Sequence, residues 1–305
     1  MNSPMAPARL RVGIISAGRV GCALAEALAS AGHDIVAVTA RSPRSLHRAA
    51  TRLPQARVLD IGGVVAESQL IVVAVPDTEI AGVVEQIAAA SPRPGTIVAH
   101  TAGAHGVAIL ESLTRLGVIG IAMHPAMTFV GTSDDTPRLA SSCFGITSTD
   151  EIGDAIAAAL VLEIGGTPVR IAEADRTLYH AALAHGANNL IALITDAMSA
   201  LDVAIAGVDG QRRDTATVDG PDSGIAARVL GPLVRASLEN VLDMGPSALT
   251  GPVARNDAAT VRRHLASLAA LPDERLVTGY RALSARAAAQ SGADPELRDL
   301  LEATS

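Results

Sequence analysis

Residues Val12 to Leu28, VGIISAGRVGCALAEAL, constrain this chain more than any other stretch. An apolar strand runs into Ser16-Ala17-Gly18-Arg19-Val20-Gly21 and straight on into an Ala/Leu-rich helix. That order is the first βα turn of a dinucleotide-binding fold. Gly18 lacks a Cβ, so a pyrophosphate can lie against the backbone, and Gly21 lets the helix pack close to its strand. The helix N-terminus offers free N–H groups and a positive dipole end to phosphate. Ser16, Ala17, Gly18, Arg19, Val20 and Gly21 are therefore the expected cofactor-binding turn. Ser16 stands where the G-x-G-x-x-G pattern has its first glycine, so the turn is made either with negative φ or with strain. The same turn also serves as a plain connection in parallel α/β proteins, so the rest of the chain must decide.

From Leu10 to Ile171 short β-branched runs alternate with Ala-rich helical stretches. Strands are expected at 11–15, 35–39, 58–59, 70–75, 96–100, 118–122, 142–147 and 168–171, with apolar centres that suit a parallel sheet buried on both faces. Helices are expected at 20–30, 43–52, 80–90, 104–116 and 150–164, with Gly32 and Gly165 closing two of them. After Ile171 the strand pattern stops, and helices are expected at 173–206, 225–244, 257–271, 273–291 and 295–301, with a polar loop over 207–224. The expected architecture is α/β, a doubly wound Rossmann domain (9–171) followed by an all-α domain (172–305). A cleft between two such domains is where a second substrate usually binds.

Composition narrows the partners. A net charge of −7 argues against binding nucleic acid, and the absence of Trp, with two Phe and two Tyr, removes the platforms that stack single-stranded bases. All 24 basic residues are Arg, so no lysine serves as acid, base or Schiff-base former. Cys22 and Cys143 lie far apart without metal-ligand spacing, so neither a disulfide framework nor a metal is expected. The opening MNSPMAPAR has no apolar signal core, and no run is read as long enough to span a membrane. A cytoplasmic protein acting on a small molecule is the expectation.

The end of the second strand reads Thr39-Ala40-Arg41-Ser42-Pro43-Arg44, without the acid that holds a ribose 2′-hydroxyl. Arg41, Ser42 and Arg44 instead offer a guanidinium fork and a hydroxyl to a 2′-phosphate, which favours NADP; the other reading is a solvated basic helix start. Val75, Pro76 and Asp77 end the fourth strand, either under the nicotinamide ribose or as an ordinary turn in which Asp77 caps a helix. His100, in HTAG, and His124, in HPAMTF, follow successive strands. They are either satisfied structural residues or proton donors to a carbonyl oxygen. The helical half contributes Asp175-Arg176, Tyr179-His180, His185 and Asn188-Asn189 along one helix, with Asn188 holding either a substrate oxygen or a neighbouring helix. In TGPVARND, Arg255 is the candidate partner of a substrate carboxylate, and Asn256 or Asp257 is an N-cap.

Taken together, SAGRVG, HTAG, HPAMTF, DRTLYHAA with Asn188, and LTGPVARND resemble the Rossmann-like proteins with a C-terminal domain of unknown function (number 2520), relatives of the 6-phosphogluconate dehydrogenase and ketopantoate reductase superfamily. The resemblance runs from about Arg9 to Leu271. It implies an NADP-linked oxidoreductase whose helical domain binds substrate and forms a homodimer. Superfamily members place a catalytic lysine one turn before an Asn; the matching positions here are Ala184 and His185 before Asn188, so that mechanism does not carry over. The His124-Pro125 step is similar to the His-Pro-Met motif of prephenate dehydrogenases, but Thr128 and Phe129 follow where that motif has Gly.

These readings lead to an NADPH-dependent reductase of a small keto acid, with ketopantoate the most specific guess. His124 would donate the proton, His100 and Asn188 would orient the carbonyl, Arg255 would pair with the carboxylate, and His185 is a further candidate in place of lysine. A prephenate-like or hydroxyacid dehydrogenase, and an NADP-binding sensor or scaffold without catalysis, are the alternatives.

Overall fold

The computed structural model describes residues 9–209 and 224–303. The chain divides into two compact units, Met1–Ala184 and His185–Ser305. The division falls inside a helix instead of at 171/172, so the first turns of that helix belong to the sheet-containing unit.

The first unit is an eight-stranded sheet in the order β3-β2-β1-β4-β5-β6-β7-β8. Its strands are β1 (Arg11–Ile15), β2 (Asp34–Val38), β3 (Arg57–Val58), β4 (Leu70–Val73), β5 (Ile97–His100), β6 (Ile119–Pro125), β7 (Cys143–Ser148) and β8 (Thr167–Arg170). All eight expected strands are present. The order reverses between β1 and β4, the switch point at which doubly wound sheets leave a crevice outside their carboxyl ends. One expectation is corrected: β6 and β7 pair antiparallel, His124 opposite Gly145. The segment between them carries one short helix, and it returns the chain down the sheet instead of carrying it back to the start of β6.

Period-two alternation sorts the apolar side chains onto two faces. Val12, Ile14, Val72, Ile121 and Met123 pack with helices α1 (Arg19–Ser30) and α7 (Glu151–Glu163). Ile15, Ile71, Val73 and Val98 pack with α3 (Ile61–Glu67), α4 (Asp77–Ala89) and α5 (Glu111–Thr114). Helices α2 (Pro43–Arg52) and α6 (Asp135–Leu139) complete the unit. Two of these, α3 and α6, are too short and too Gly- or polar-rich to show an apolar period. Gly32 and Gly165 follow the ends of α1 and α7 at φ +92 and +83, as expected of closing glycines.

The expected helix at 104–116 is not formed. A 3-10 turn at Val107–Leu110 and α5 replace it, because the N–H groups of Val107 and Ala108 are bound by the Glu173 carboxylate at 2.7 and 3.2 Å. Glu173 is thereby drawn into a 3-10 turn (Glu173–Asp175), and α8 (Arg176–Asp209) starts three residues later than expected. A second correction concerns the membrane expectation: 173–206 is long and apolar enough to cross a bilayer by length and composition. His, Asn and Gly interrupt its apolar run, while 177–195 contains no Asp, Glu, Lys or Arg.

The second unit continues with α9 (Ile225–Met244), α10 (Ala258–Ala269), α11 (Glu274–Ser291) and α12 (Pro295–Glu302). Val261, Leu265, Ala288, Leu297 and Leu301 form its core. The end of α8 and the start of α9 leave 210–223, most of the expected loop, outside the described residues.

Gly21 is the tightest point of the βα turn: a Cβ there would stand 2.3 Å from the Ser16 carbonyl oxygen and 3.1 Å from Ile14. Backbone cannot give way as a side-chain tip can, so Gly21→Ala is expected to lower stability by about 1–3 kcal/mol. Thermal denaturation of the full chain reads this as a lower Tm.

Candidate functional site

Ser16 makes the turn at φ +84, the strained alternative of the two anticipated. The left-handed conformation is over-determined: Thr39 Oγ1 accepts from the Ser16 N–H at 2.8 Å and the Thr39 carbonyl from the Ala17 N–H at 2.9 Å. Arg48, which the sequence reading missed, donates to the Ala17 carbonyl at 2.8 Å and so fixes the turn from α2.

Gly18 is the N-cap of α1, with no side-chain cap and no acid in the first turn. A Cβ on Gly18 would meet nothing closer than Ser16 Oγ at 3.4 Å and the Ala74 carbonyl oxygen at 3.7 Å. Glycine is therefore not forced by the protein's own packing, and the space that a Cβ would fill lies over a helix N-terminus that attracts anions. Arg19 and Val20 open α1 beside it. Arg19 also donates to the Phe129 carbonyl at 3.3 Å, so the loop after β6 is tied to the glycine turn.

Beside the end of β2 a cavity of ≈ 280 Å³ is lined by Thr39, Ala40, Arg41, Val58, Leu59 and Asp60. Asp60 is committed as the N-cap of α3, accepting from the Gly63 N–H at 2.8 Å. Arg41 and Arg44 are exposed, and neither forms an ion pair among the described residues. The Ser42 hydroxyl is occupied in a capping box with Ser45, so its first duty is to begin α2. At the end of β4 the cap of α4 is Pro76; Asp77 follows it at the first helical position, next to half-buried Val75. The cap reading of Asp77 therefore does not hold.

The two strand-end histidines divide in role. His100 is fully buried, with Nε2 bonded to the Gly106 carbonyl at 2.8 Å and Nδ1 accepting from the Ala102 N–H at 3.3 Å. Both ring nitrogens are used, and burial above all, opposed by the Gly106 bond and assisted by Arg176, pushes its pKa down to about 4. His100 shapes the HTAG loop and has no nitrogen left for a substrate.

His124 is half-buried, and its Nδ1 lies 3.0 Å from the Tyr179 hydroxyl. Tyr179 is half-buried, and its hydroxyl meets both His124 Nδ1 and the Gly145 backbone; with Tyr179 donating, Nδ1 accepts and the imidazole carries its hydrogen on Nε2. That N–H has no partner among the described residues. The rings of Tyr179 and His180 both meet His124 edge-on, at centroid distances of 5.6 and 5.9 Å. Desolvation first, then Arg176 and His180, pushes the His124 pKa down to about 4, so the ring is neutral at neutral pH.

Arg176 assembles this cluster. Its side chain is buried, and it donates to the carbonyls of His105 (2.9 Å), Gly145 (3.1 Å) and Ala102 (2.9 Å). It also lies 5.6 Å from the centre of the Tyr179 ring. Two glycines allow the approach. A Cβ on Gly103 would fall 2.5 Å from His180 and 3.0 Å from His124 Nε2, and one on Gly145 would fall 2.6 Å from the Tyr179 hydroxyl. Arg176, Tyr179 and His180 share a helix face at i, i+3 and i+4, which is the signal that could have singled them out.

His185, Asn188 and Arg255 belong to the second unit. Asn189 Nδ2 lies 2.8 Å from His185 Nδ1, Asn188 and Arg255 are exposed, and Asp257 caps α10 by accepting from the Thr260 N–H at 2.9 Å. Asn256 instead turns at φ +55 and accepts from the Asp294 N–H at 2.9 Å.

With folded pKa values of about 4 against about 6.5 unfolded, His100 and His124 bind fewer protons in the native state between those limits. Stability therefore falls as pH drops from about 6.5 towards 4. NMR titration is expected to show both rings still neutral at about pH 5.5.

Residues 1–125 match the family model described as a Rossmann-like domain, and residues 142–287 match the domain of unknown function DUF2520. No curated protein sequence matches the chain. Among solved structures it is similar to BF3122 of Bacteroides fragilis, provisionally named an NADP oxidoreductase, at 20% identity over 92% of this chain and 98% of that one, with a TM-score of 0.72. It is also similar to a reductive aminase from Aspergillus terreus in complex with NADPH4, cyclohexanone and allyl amine (17% identity, 95% and 98% covered, TM-score 0.61). A pyrroline-5-carboxylate reductase from Coxiella burnetii is a third (17% identity, 93% and 99% covered, TM-score 0.53). Likeness at such identities is likeness of fold. The two domain matches follow one another in the order that the motifs led us to expect, a Rossmann-like domain and then the domain of unknown function 2520, the second beginning at residue 142, ahead of the expected boundary at 171/172.

Proposed function

We propose that this protein is an NADP-linked oxidoreductase that reduces a small keto acid, with His124 as the hydrogen-bond and proton donor to the reacting oxygen. The observation that carries the reading is one sheet edge bearing both an open anion cradle at Gly18 and a neutral imidazole whose Nε2–H is unclaimed. The two stand at the carboxyl ends of β1 and β6, separated by β4 and β5.

The chain's residues fit the dinucleotide. The first N–H groups of α1 would meet the pyrophosphate, and Arg41, which lines the cavity at the end of β2 with Asp60 and forms no ion pair among the described residues, would meet the 2′-phosphate. Bound there, NADPH supplies the hydride. The protein's part is to orient the carbonyl and give its oxygen a proton, and a neutral N–H in a partly desolvated site does this without repelling Arg176. The names of the similar structures favour the same cofactor and extend the substrates to C=N groups, so a panel of ketopantoate, other 2- and 3-keto acids and pyrroline-5-carboxylate is the natural screen.

NADPH is expected to raise the Tm by mass action and NADH to raise it less; in Arg41→Ala the NADPH shift falls to the NADH level. Equal shifts with both cofactors in the wild-type chain would remove the 2′-phosphate assignment. His124→Ala is expected to keep the NADPH shift while losing about 10²-fold or more in turnover. Full turnover in that variant would assign the proton to another group.

A further inference from the structure

We propose that Tyr179 is the proton source behind His124, feeding the imidazole at Nδ1 as the Nε2 proton passes to the substrate, with Arg176 balancing the phenolate that remains. This deepens the reductase reading above and rests on it.

A chain without lysine must find its proton elsewhere. Alone, the neutral ring of His124 is a poor donor, because losing the Nε2 proton would leave an imidazolate. A second proton arriving at Nδ1 removes that obstacle, and the Tyr179 hydroxyl stands 3.0 Å from that nitrogen. The proton bookkeeping closes. The Nε2–H bond breaks as the substrate O–H bond forms, and the Tyr179 O–H bond breaks as the Nδ1–H bond forms. The imidazole ends neutral in its other tautomer, the phenolic oxygen keeps the electron pair, and water later restores its proton.

Arg176 is the neighbour that favours this direction. Arg176 is held by three neutral carbonyls and forms no ion pair among the described residues, and its guanidinium lies 5.6 Å from the Tyr179 ring centre. Burial raises the Tyr179 pKa, while Arg176 and the Gly145 backbone oppose the rise. Resting Tyr179 is thus protonated, and its anion is met by a cation when it forms. The titratable and charged groups facing the pair are Arg176, His180, His100 and Cys143, with Glu173 beyond Arg176. Tyr179 works through His124, so a merely structural role must be separated from proton supply.

The test uses the full chain labelled with ¹⁵N-histidine, Tyr179→Phe, and 3-fluorotyrosine incorporated into a Tyr280→Phe background, where Tyr179 is the remaining tyrosine. Wild type is expected to show His124 with its proton fixed on Nε2. Tyr179→Phe is expected to lose that fixed tautomer and about 10²-fold or more in turnover while keeping the NADPH-induced Tm shift. Fluorination makes the phenol more acidic and is expected to move the alkaline limb of the pH–rate profile to lower pH. An unchanged tautomer, near wild-type turnover in Tyr179→Phe, or an unmoved limb overturns the relay and leaves the reductase reading standing. Absence of wild-type turnover across the keto-acid and imine panel is a different result, which overturns both.

Discussion

Arg176 is a guanidinium at 1% exposure whose partners are three backbone carbonyls, two from the HTAG loop and one from β7. Burying such a charge costs several kcal/mol, and hydrogen bonds to charged groups return about 1.5–3 kcal/mol each. The consequence is geometric: the loop after β5, the start of α8 and the antiparallel strand β7 are fixed to one another. Tyr179 and His180 can then reach His124.

The same interaction sets the electrostatics. Burial first, and Arg176 after it, keeps the nearby imidazoles neutral, while at Tyr179 Arg176 opposes the rise that burial imposes on the phenol. Glu173, three residues before Arg176, is spent on the N–H groups of Val107 and Ala108. Glu173 thus shapes the loop, and the cluster holds a buried guanidinium without an ion pair among the described residues.

The glycine turn, the strand positions and the helical second half were legible in the sequence, since each depends on local periodicity or on one residue's backbone freedom. Ser16 shows how far that reading extends: the choice between negative φ and strain was stated, and Thr39, 23 residues away, decided it. The helix expected at 104–116 failed for a similar reason, because Glu173 competes for its first N–H groups from 65 and 66 residues away. His100 and His124 look alike in sequence; tertiary bonds satisfy both nitrogens of one and leave Nε2 of the other free. Gly145 carries no motif value, and the need for it and for Gly103, the last residue of HTAG, appears once the rings they admit are in place.

The central claim is that the carboxyl edge from β1 to β6 is one dinucleotide groove ending at His124. The most direct measurement is a crystal structure of the full chain with NADP. It is predicted to place the pyrophosphate on the N–H groups that begin α1, the 2′-phosphate beside Arg41 and the nicotinamide on the His124 side of β5. A dinucleotide bound elsewhere, or one whose nicotinamide turns away from His124, would contradict the account.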